Sequence, residues 1–302
     1  MRFNLSFRQL SVLHAIIHSG SAASAAEMLH ITQPAVSKTV AALEKELGYR
    51  LFHRTGRNLK PTAKTIALMP HVERVLSEID RLQNSAGIIG QEVTETLTIT
   101  GNFTLIYTIA AEAAKEFCVK YPRTSLKLFA VTAQEIITSL VNRTADIGLA
   151  YGPLHHSQLI IEDIGRWTSV CVMPKEHPLA NKTEIKPSDL TSEKLLTYTD
   201  RSPTGIATRR LFENAAVDLH PTVTTTNTPT ILRLVSRGVG IGLVDTFEYY
   251  KNDYQHLVAR PLRPRIEAVP KLLMSNTMQY SDAGYELANI IREVGKSFEL
   301  KH

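Results

Sequence analysis

Gln33, Pro34, Ser37 and Lys38 open a segment, Thr32 to Leu47, in which Val36, Val40, Leu43 and Leu47 fall in one narrow arc at helical spacing. At 100° per residue, Pro34, Lys38, Ala41 and Lys45 point away from that arc, with Ser37 beside them and Gln33 at the exposed tip. Such a face can read a nucleic-acid groove. A glutamine amide pairs bidentately with adenine, a lysine reaches guanine or phosphate, and free N–H groups at a helix start attract phosphate. One lysine and one glutamine also suit an ordinary solvated helix face. Beyond Gly48, the run Leu51 to Pro61 alternates apolar anchors with basic groups around Gly56, as a two-stranded wing does, and turns Arg54, Arg57 and Lys60 toward phosphates.

Positioning these residues needs a three-helix frame. Phe7, Leu10, Leu13, His14 and Ile17 predict an amphipathic helix over Ser6–Ser19 ended by Gly20. Ser21 can cap a second helix, Ala22–Leu29, and after a turn at His30-Ile31 Thr32 can cap the third, where Pro34 is tolerated in the first turn. A tight turn between the second and third helices makes a helix-turn-helix. The charge agrees: the 302 residues carry 34 Lys+Arg and 29 Asp+Glu, and the first 60 hold eight basic and three acidic groups, so the remainder cancels. A basic head before a neutral body suits a polyanion partner, although a solubility effect gives the same sum. Thr62 then caps a long helix to about Ile89, in which Leu68, Val72, Val75, Ile79, Leu82, Ala86 and Ile89 step by four and three. That heptad seam predicts dimerisation, placing two reading helices on successive half-sites; Pro70 predicts a kink or a break, and packing on the chain's own body is the alternative.

From Val93 the pattern becomes β-rich runs alternating with helices: strands at Thr96–Thr100, Ser125–Val131 and Asp146–Tyr151, with helices to Lys120 and Asn142 between them. A parallel sheet results, and its ligands belong at the carboxyl ends of the strands. A second set has strands near Ser169–Met173, Lys194–Thr199, Thr222–Thr226 and Gly240–Val244, with helices near Ser202–Ala215 and Thr228–Arg237. The strand Val269–Met274 and the helix Tyr280–Phe298 are expected to return to the first lobe, leaving a cleft between two lobes. Helices of this body start with Asn102 and Thr104, Thr132, Ser202 and Thr204, and Thr228, and free amides there, with Arg201, would suit a carboxylate. Ser and Thr are also commonplace caps.

Other chemistries find no support. Gly238-Val239-Gly240-Ile241-Gly242 precedes a strand and reads as a tight turn, not a dinucleotide loop. His155-His156 lacks ligand spacing and reads as surface loop, so no metal and no cofactor are expected. There is no nucleophile elbow and no phosphate loop, so the chain is expected not to be an enzyme, although catalytic groups can assemble from far apart in sequence. Cys118 and Cys171 have no framework spacing and read as buried free thiols in a reducing cytoplasm. No apolar run is long enough to span a membrane, and His14 and His18 interrupt the stretch Leu10–Ala26 that mimics an export signal.

Gln33-Pro34-Ala35-Val36-Ser37, with Leu43-Glu44, Leu47-Gly48, Leu51-Phe52-His53-Arg54 and Pro61-Thr62, strongly resembles the LysR-type transcriptional regulators. Asp146-Ile147-Gly148-Leu149 and the Gly238–Gly242 run look like landmarks of that family's effector domain. The resemblance covers the whole length. It implies an α/β chain with a winged helix-turn-helix (1–62), a linker dimerisation helix (63–90) and an effector domain (91–302) like periplasmic solute-binding proteins. The lobes of that domain would be about 91–162 with 267–302, and about 163–266. It implies Gln33, Pro34, Ser37 and Lys38 on the DNA-reading helix, Arg54 and Arg57 on the wing, and Thr100, Asn102, Thr132, Ser202 and Thr228 in the inducer cleft. The partners expected are double-stranded promoter DNA, a small effector, RNA polymerase and further copies of the chain as homodimer or homotetramer, with no membrane. Thr65 departs from the family, standing where many members have glycine.

Overall fold

The computed structural model describes residues 5–55, 58–87, 95–245 and 250–297. Two compact units emerge, one of residues 1–94 with 142–144, the other of 95–141 with 145–302.

The first unit begins with α1 (Phe7–Ser19), whose start is fixed by a capping box: Gln9 N–H donates to Ser6 Oγ and Ser6 N–H to Gln9 Oε1. Gly20, at φ +75°, ends it. α2 (Ala22–Met28) starts at Ser21, which accepts from Ser24 N–H, and α3 (Gln33–Leu47) follows the turn. The buried arc of α1 is Leu10, Val12, Leu13, Ala15 and Ile16, while Phe7 lies exposed and His14 and Ile17 are only half-buried. The face is therefore rotated from the one expected, because α2 and α3 cover it from one side and α4 from the other. Val36 and Leu43 of α3 are fully buried, and Val40 and Leu47 pack at the edge of the same core. The wing is the antiparallel pair β1 (Phe52–Thr55) and β2 (Asn58–Pro61), with Arg54 opposite Leu59. Glu44 ties it to α3, its carboxylate accepting from the N–H groups of Leu51 and Phe52 at 2.7 and 3.3 Å.

α4 (Ala63–Gly87) runs through Pro70 as one helix. Thr65 explains how the chain manages without glycine there: its side chain is wholly buried and its hydroxyl donates to Leu51 O at 2.6 Å. Val72 and Met69 are buried in the head's own core and Leu68 packs against it. Val75 and Leu82 are exposed.

In the second unit, β3 (Glu95–Gly101) leads through the short turn α5 (Phe103–Leu105) and a π-helical turn, Ile106–Ala110, into α6 (Ala111–Lys120). β4 (Thr124–Ala130), α7 (Ala133–Val141) and β5 (Ile147–Tyr151) complete a βαβαβ unit, and β6 (Leu159–Asp163) adds an edge. The chain crosses by β7 (Trp167–Thr168) into a second lobe of β8 (Val170–Pro174), β9 (Leu195–Tyr198), α8 (Pro203–Asn214), β10 (Pro221–Thr225), α9 (Thr228–Ser236), β11 (Ile241–Val244) and β12 (Leu257–Pro261). It returns by β13 (Glu267–Ala268) to β14 (Pro270–Ser275) and α10 (Asp282–Ser297). The first sheet has the order β4-β3-β5-β14-β6 and the second β10-β9-β11-β8-β12, with β7 and β13 as a two-stranded link. In each sheet four strands run in one direction and one, β14 in the first and β8 in the second, runs against them. β14 pairs with β5, so the C-terminal segment does return to the first lobe. β6, β12 and the β7–β13 link are absent from the pattern read off the sequence.

The Gly238–Gly242 run is a turn into a buried strand. Gly238 holds φ +74° after α9, and a side chain on Gly240 would meet Lys194 O at 2.0 Å. Cys171 is buried, which pushes its thiol pKa up, but Cys118 is exposed on the outer face of α6, contrary to the expectation of two buried thiols. No helix among the described residues is long and apolar enough to cross a membrane.

Candidate DNA interface and effector site

The reading face of α3 is built from inside out. Val36 and Leu43 anchor one side of the helix, which leaves Gln33, Pro34, Ser37, Lys38, Ala41 and Lys45 exposed on the other. Thr32 occupies the cap position but makes no side-chain bond to the first turn, so the helix start lacks the cap expected of it. Arg54 lies in β1 with its side chain outside the described residues, and Arg57 lies wholly outside them. Of the seam residues on α4, Val72 faces inward with Leu68 beside it, Val75 and Leu82 are exposed and Ile79 is half-buried; Ala86 and Ile89 fall outside the described side chains.

The effector-domain residues fare differently from one another. Asn102 Oδ1 accepts from Leu105 N–H at 2.9 Å and Ser202 Oγ from Gly205 N–H at 3.1 Å. Thr132 Oγ1 accepts from Glu135 N–H, and the Thr132 hydroxyl and backbone N–H both donate to the Glu135 carboxylate, which these two bonds hold below the usual carboxylate pKa. These helix starts are capped by their own side chains, each of which takes up one first-turn amide. Thr100 is buried at the end of β3 against Ser139 at 3.2 Å, Thr104 is buried in α5, and Arg201 is exposed on the turn before α8.

Thr204 and Thr228, by contrast, converge. Both reach Asp245, the residue directly after β11: Thr204 Oγ1 donates to Oδ2 at 3.2 Å and Thr228 Oγ1 to Oδ1 at 3.4 Å. Tyr198, at the end of β9, donates its hydroxyl to the same Oδ1 at 2.6 Å. Asp245, Tyr198, Thr204 and Thr228 are all buried, and β9 and β11 are parallel neighbours, so this knot lies at carboxyl strand ends. Tyr151 stands at the carboxyl end of β5 in the other lobe, nine-tenths buried, and its hydroxyl has no hydrogen-bond partner among the described residues. Burial first, and then the Asp245 charge, hold the hydroxyls of Tyr151 and Tyr198 well above the ordinary tyrosine pKa. A cavity of about 460 Å³ touches Tyr151, Gly152 and Pro153 on one side and Pro203 and Thr204 on the other. Nearby the rings of Phe103 and Tyr107 stack at 5.9 Å, and Tyr107 stacks on Tyr250 of the second lobe at 5.7 Å. Tyr151, Tyr198 and Asp245 are missing from the sequence-derived set. The available signal is a charged residue directly after the apolar strand Ile241–Val244.

Among the described residues, the metal-capable grouping is not His155-His156 but His14 and His18, one turn apart on α1, with Glu73 of α4, their ligand atoms within 4.8 Å of one another. A search for adjacent ligands in sequence cannot find a carboxylate so far along the chain.

The comparisons with known proteins divide the chain in the same two parts. A model for the bacterial regulatory helix-turn-helix proteins of the lysR family matches residues 7–65, and one for the LysR substrate binding domain matches residues 90–291. The regulatory protein NocR of Agrobacterium fabrum (strain C58 / ATCC 33970) is 27% identical over 245 residues, covering 80% of this chain and 82% of NocR. The transcriptional activator protein LysR of Escherichia coli (strain K12) is 27% identical over 247 residues, covering 80% and 78%. Full-length CbnR, solved in complex with its target DNA, has a similar fold at TM-score 0.72 and 19% identity, over 96% of this chain and 100% of that one. A wing and a polar α3 ahead of paired strand ends that enclose a buried polar knot, each matched by its own family model, make this chain a member of the LysR family of transcriptional regulators: it binds promoter DNA, answers to a small effector and is not an enzyme.

Proposed function

We propose that the chain reads its operator in the cytoplasm as a homodimer, paired further into a homotetramer, with α3 in the major groove and the wing on the flanking phosphates. Gln33, Pro34, Ser37 and Lys38 meet base edges and Arg54 and Arg57 meet phosphates. The observation that carries this is the exposed polar row on α3, backed by Val36 and Leu43 in a rigid core. The dimer seam is the stretch of α4 beyond Val72, with Val75, Ile79 and Leu82, since Val72 itself is spent inside the head.

The effector, a small carboxylate or amino-acid-like molecule, sits at the facing strand ends of the two lobes, within reach of Thr100, Asn102, Thr104, Thr132, Arg201, Ser202, Thr204 and Thr228. Its binding shifts the balance between two states of the assembly only in proportion to its preference for one of them. Fluorescence anisotropy with the chain's own upstream promoter duplex, at several salt concentrations, tests the DNA half. Lys38→Ala should weaken binding and lower the slope of log K against log salt by about 1. An unchanged slope and affinity would remove Lys38 from the interface.

A further inference from the structure

We propose that His14, His18 and Glu73 form a binding site for a divalent transition-metal ion of the zinc class, which clips α1 of the DNA-binding head to α4. The site belongs to neither the effector domain nor the reading face of α3, and all three residues lie within the first compact unit.

The ligands come from two stripes that run out of the head's core. On α1, Leu10, His14 and His18 follow one another at steps of four, so they share one side of the helix and pass from buried through half-buried to exposed. On α4, Glu73 stands four residues beyond the buried Met69 and is half-buried. α1 packs on α4, and the one ligand atom that each residue offers lies within 4.8 Å of the other two. Ligands held at about 2.0–2.1 Å by a tetrahedral zinc ion stand about 3.4 Å from one another, a spacing that small side-chain rotations reach. The imidazoles already stand side by side, their ring centroids 4.2 Å apart.

The chemistry of the set selects the ion. Two imidazoles four residues apart on one helix, with a carboxylate from a second element, are a zinc donor set that leaves a fourth position to water. Imidazole nitrogen suits zinc, nickel or copper, whereas magnesium and calcium take oxygen ligands. Asn142 supplies an independent observation. It is 2% exposed, and its Nδ2 donates to Glu73 Oε2 at 2.7 Å, the kind of outer bond that orients a carboxylate ligand. The next residue, Arg143, pairs with Glu78 at 3.4 Å, further along α4. His18 lies in the last turn of α1, where the partial negative charge of the helix end also favours a cation. Because α1 packs on α2 and α3 as well as on α4, an ion held there fixes the start of α4 against the whole head.

The test uses the untagged full-length protein, stripped of metal with a chelator and titrated with zinc chloride by isothermal titration calorimetry, with amide hydrogen exchange to locate the effect. One zinc ion per chain should bind, magnesium chloride at the same concentrations should not, and zinc should slow exchange in α1 and the first half of α4. His14→Ala, His18→Ala and Glu73→Gln should each weaken zinc by at least about tenfold, the loss that even an outer partner of a ligand costs. If His14→Ala fails to fold, His18→Ala, at an exposed position, carries the test. His155→Ala, which alters an exposed histidine outside the cluster, should leave the affinity unchanged. The inference is overturned by the absence of zinc binding, by magnesium binding as tightly as zinc, or by slowed exchange that spares α1 and α4. Zinc binding that survives His18→Ala or Glu73→Gln overturns it too, and marks an adventitious ion on other histidines.

Discussion

Helix α3 of the DNA-binding head and the helices of the effector domain carry the same residue types at their starts and use them in opposite ways, although α1 and α2 of the head are capped by Ser6 and Ser21. In the effector domain Asn102, Thr132, Ser202 and Asn227 each turn a side-chain oxygen back onto an amide of the first turn. In the head, Thr32 precedes α3 and makes no such bond. A cap satisfies the helix start and contributes about 1 kcal/mol, but it also occupies the donors an anion would use. The helix proposed to present its start to a phosphate-rich groove keeps those donors free of a side-chain cap. The helices at the strand ends of the effector domain close theirs, and the buried polar side chains there, Asp245, Tyr198 and Thr228, bond to one another. One region presents an exposed polar face on a buried core, the other encloses an interior polar knot.

The contrast can be broken most strongly at a core. Leu43→Ala, a large-to-small change at a fully buried position of α3, should cost about 2–5 kcal/mol. By calorimetry the loss should fall on the head's transition while effector binding persists; a matching loss in the effector domain would mean that the two regions do not stand on separate cores. A smaller effect separates cap from contact. Thr32→Asp should stabilise α3 by up to about 1 kcal/mol and yet weaken duplex binding, because its carboxylate occupies the first-turn amides and repels phosphate. Tighter DNA binding by this variant would show that the open helix start serves no purpose in recognition. The smallest effect is a titration. Glu135 has its pKa lowered by Thr132, so its contribution to the cap is complete above the ordinary carboxylate range and fades as pH falls through its depressed value. Carboxyl NMR should find Glu135 titrating below 4.5, and Thr132→Val should return it toward that value. No change in the variant would assign the shift to something other than the cap.

The head was legible because its chemistry lies on a surface. Once Val36 and Leu43 are assigned inward, helical periodicity alone places Gln33, Ser37 and Lys38 outward, and the structure finds them exposed. Periodicity was less reliable where two neighbours share a helix. The inward side of α1 includes Val12 and Ile16 and leaves Phe7 exposed, because α4 covers a second face of it. For the same reason the heptad on α4 lost Val72 to the head's own core. The effector site was legible only in part. Hydroxyl residues after strands lie at the carboxyl ends of the strands, but which of them cap a helix and which reach a shared partner depends on strand order. Thr228 and Asp245 meet because β11 lies beside β9, with α9 packed over both. The edge strands β6 and β12 pair with β14 and β8, which lie far away in the chain, so nothing local announces them.

The double crossing through β7 and β13 also sets an order of assembly. All strands of the second sheet are complete by Pro261, whereas the first sheet waits for β14, and its helical layer waits for α10. A ribosome making this protein therefore releases a finished inner lobe while the outer one still lacks the strand that joins β5 to β6. Until that strand arrives the apolar edge of β5 is open, and a chain stopped just short of Pro270 would have a closed second lobe attached to an incomplete first one.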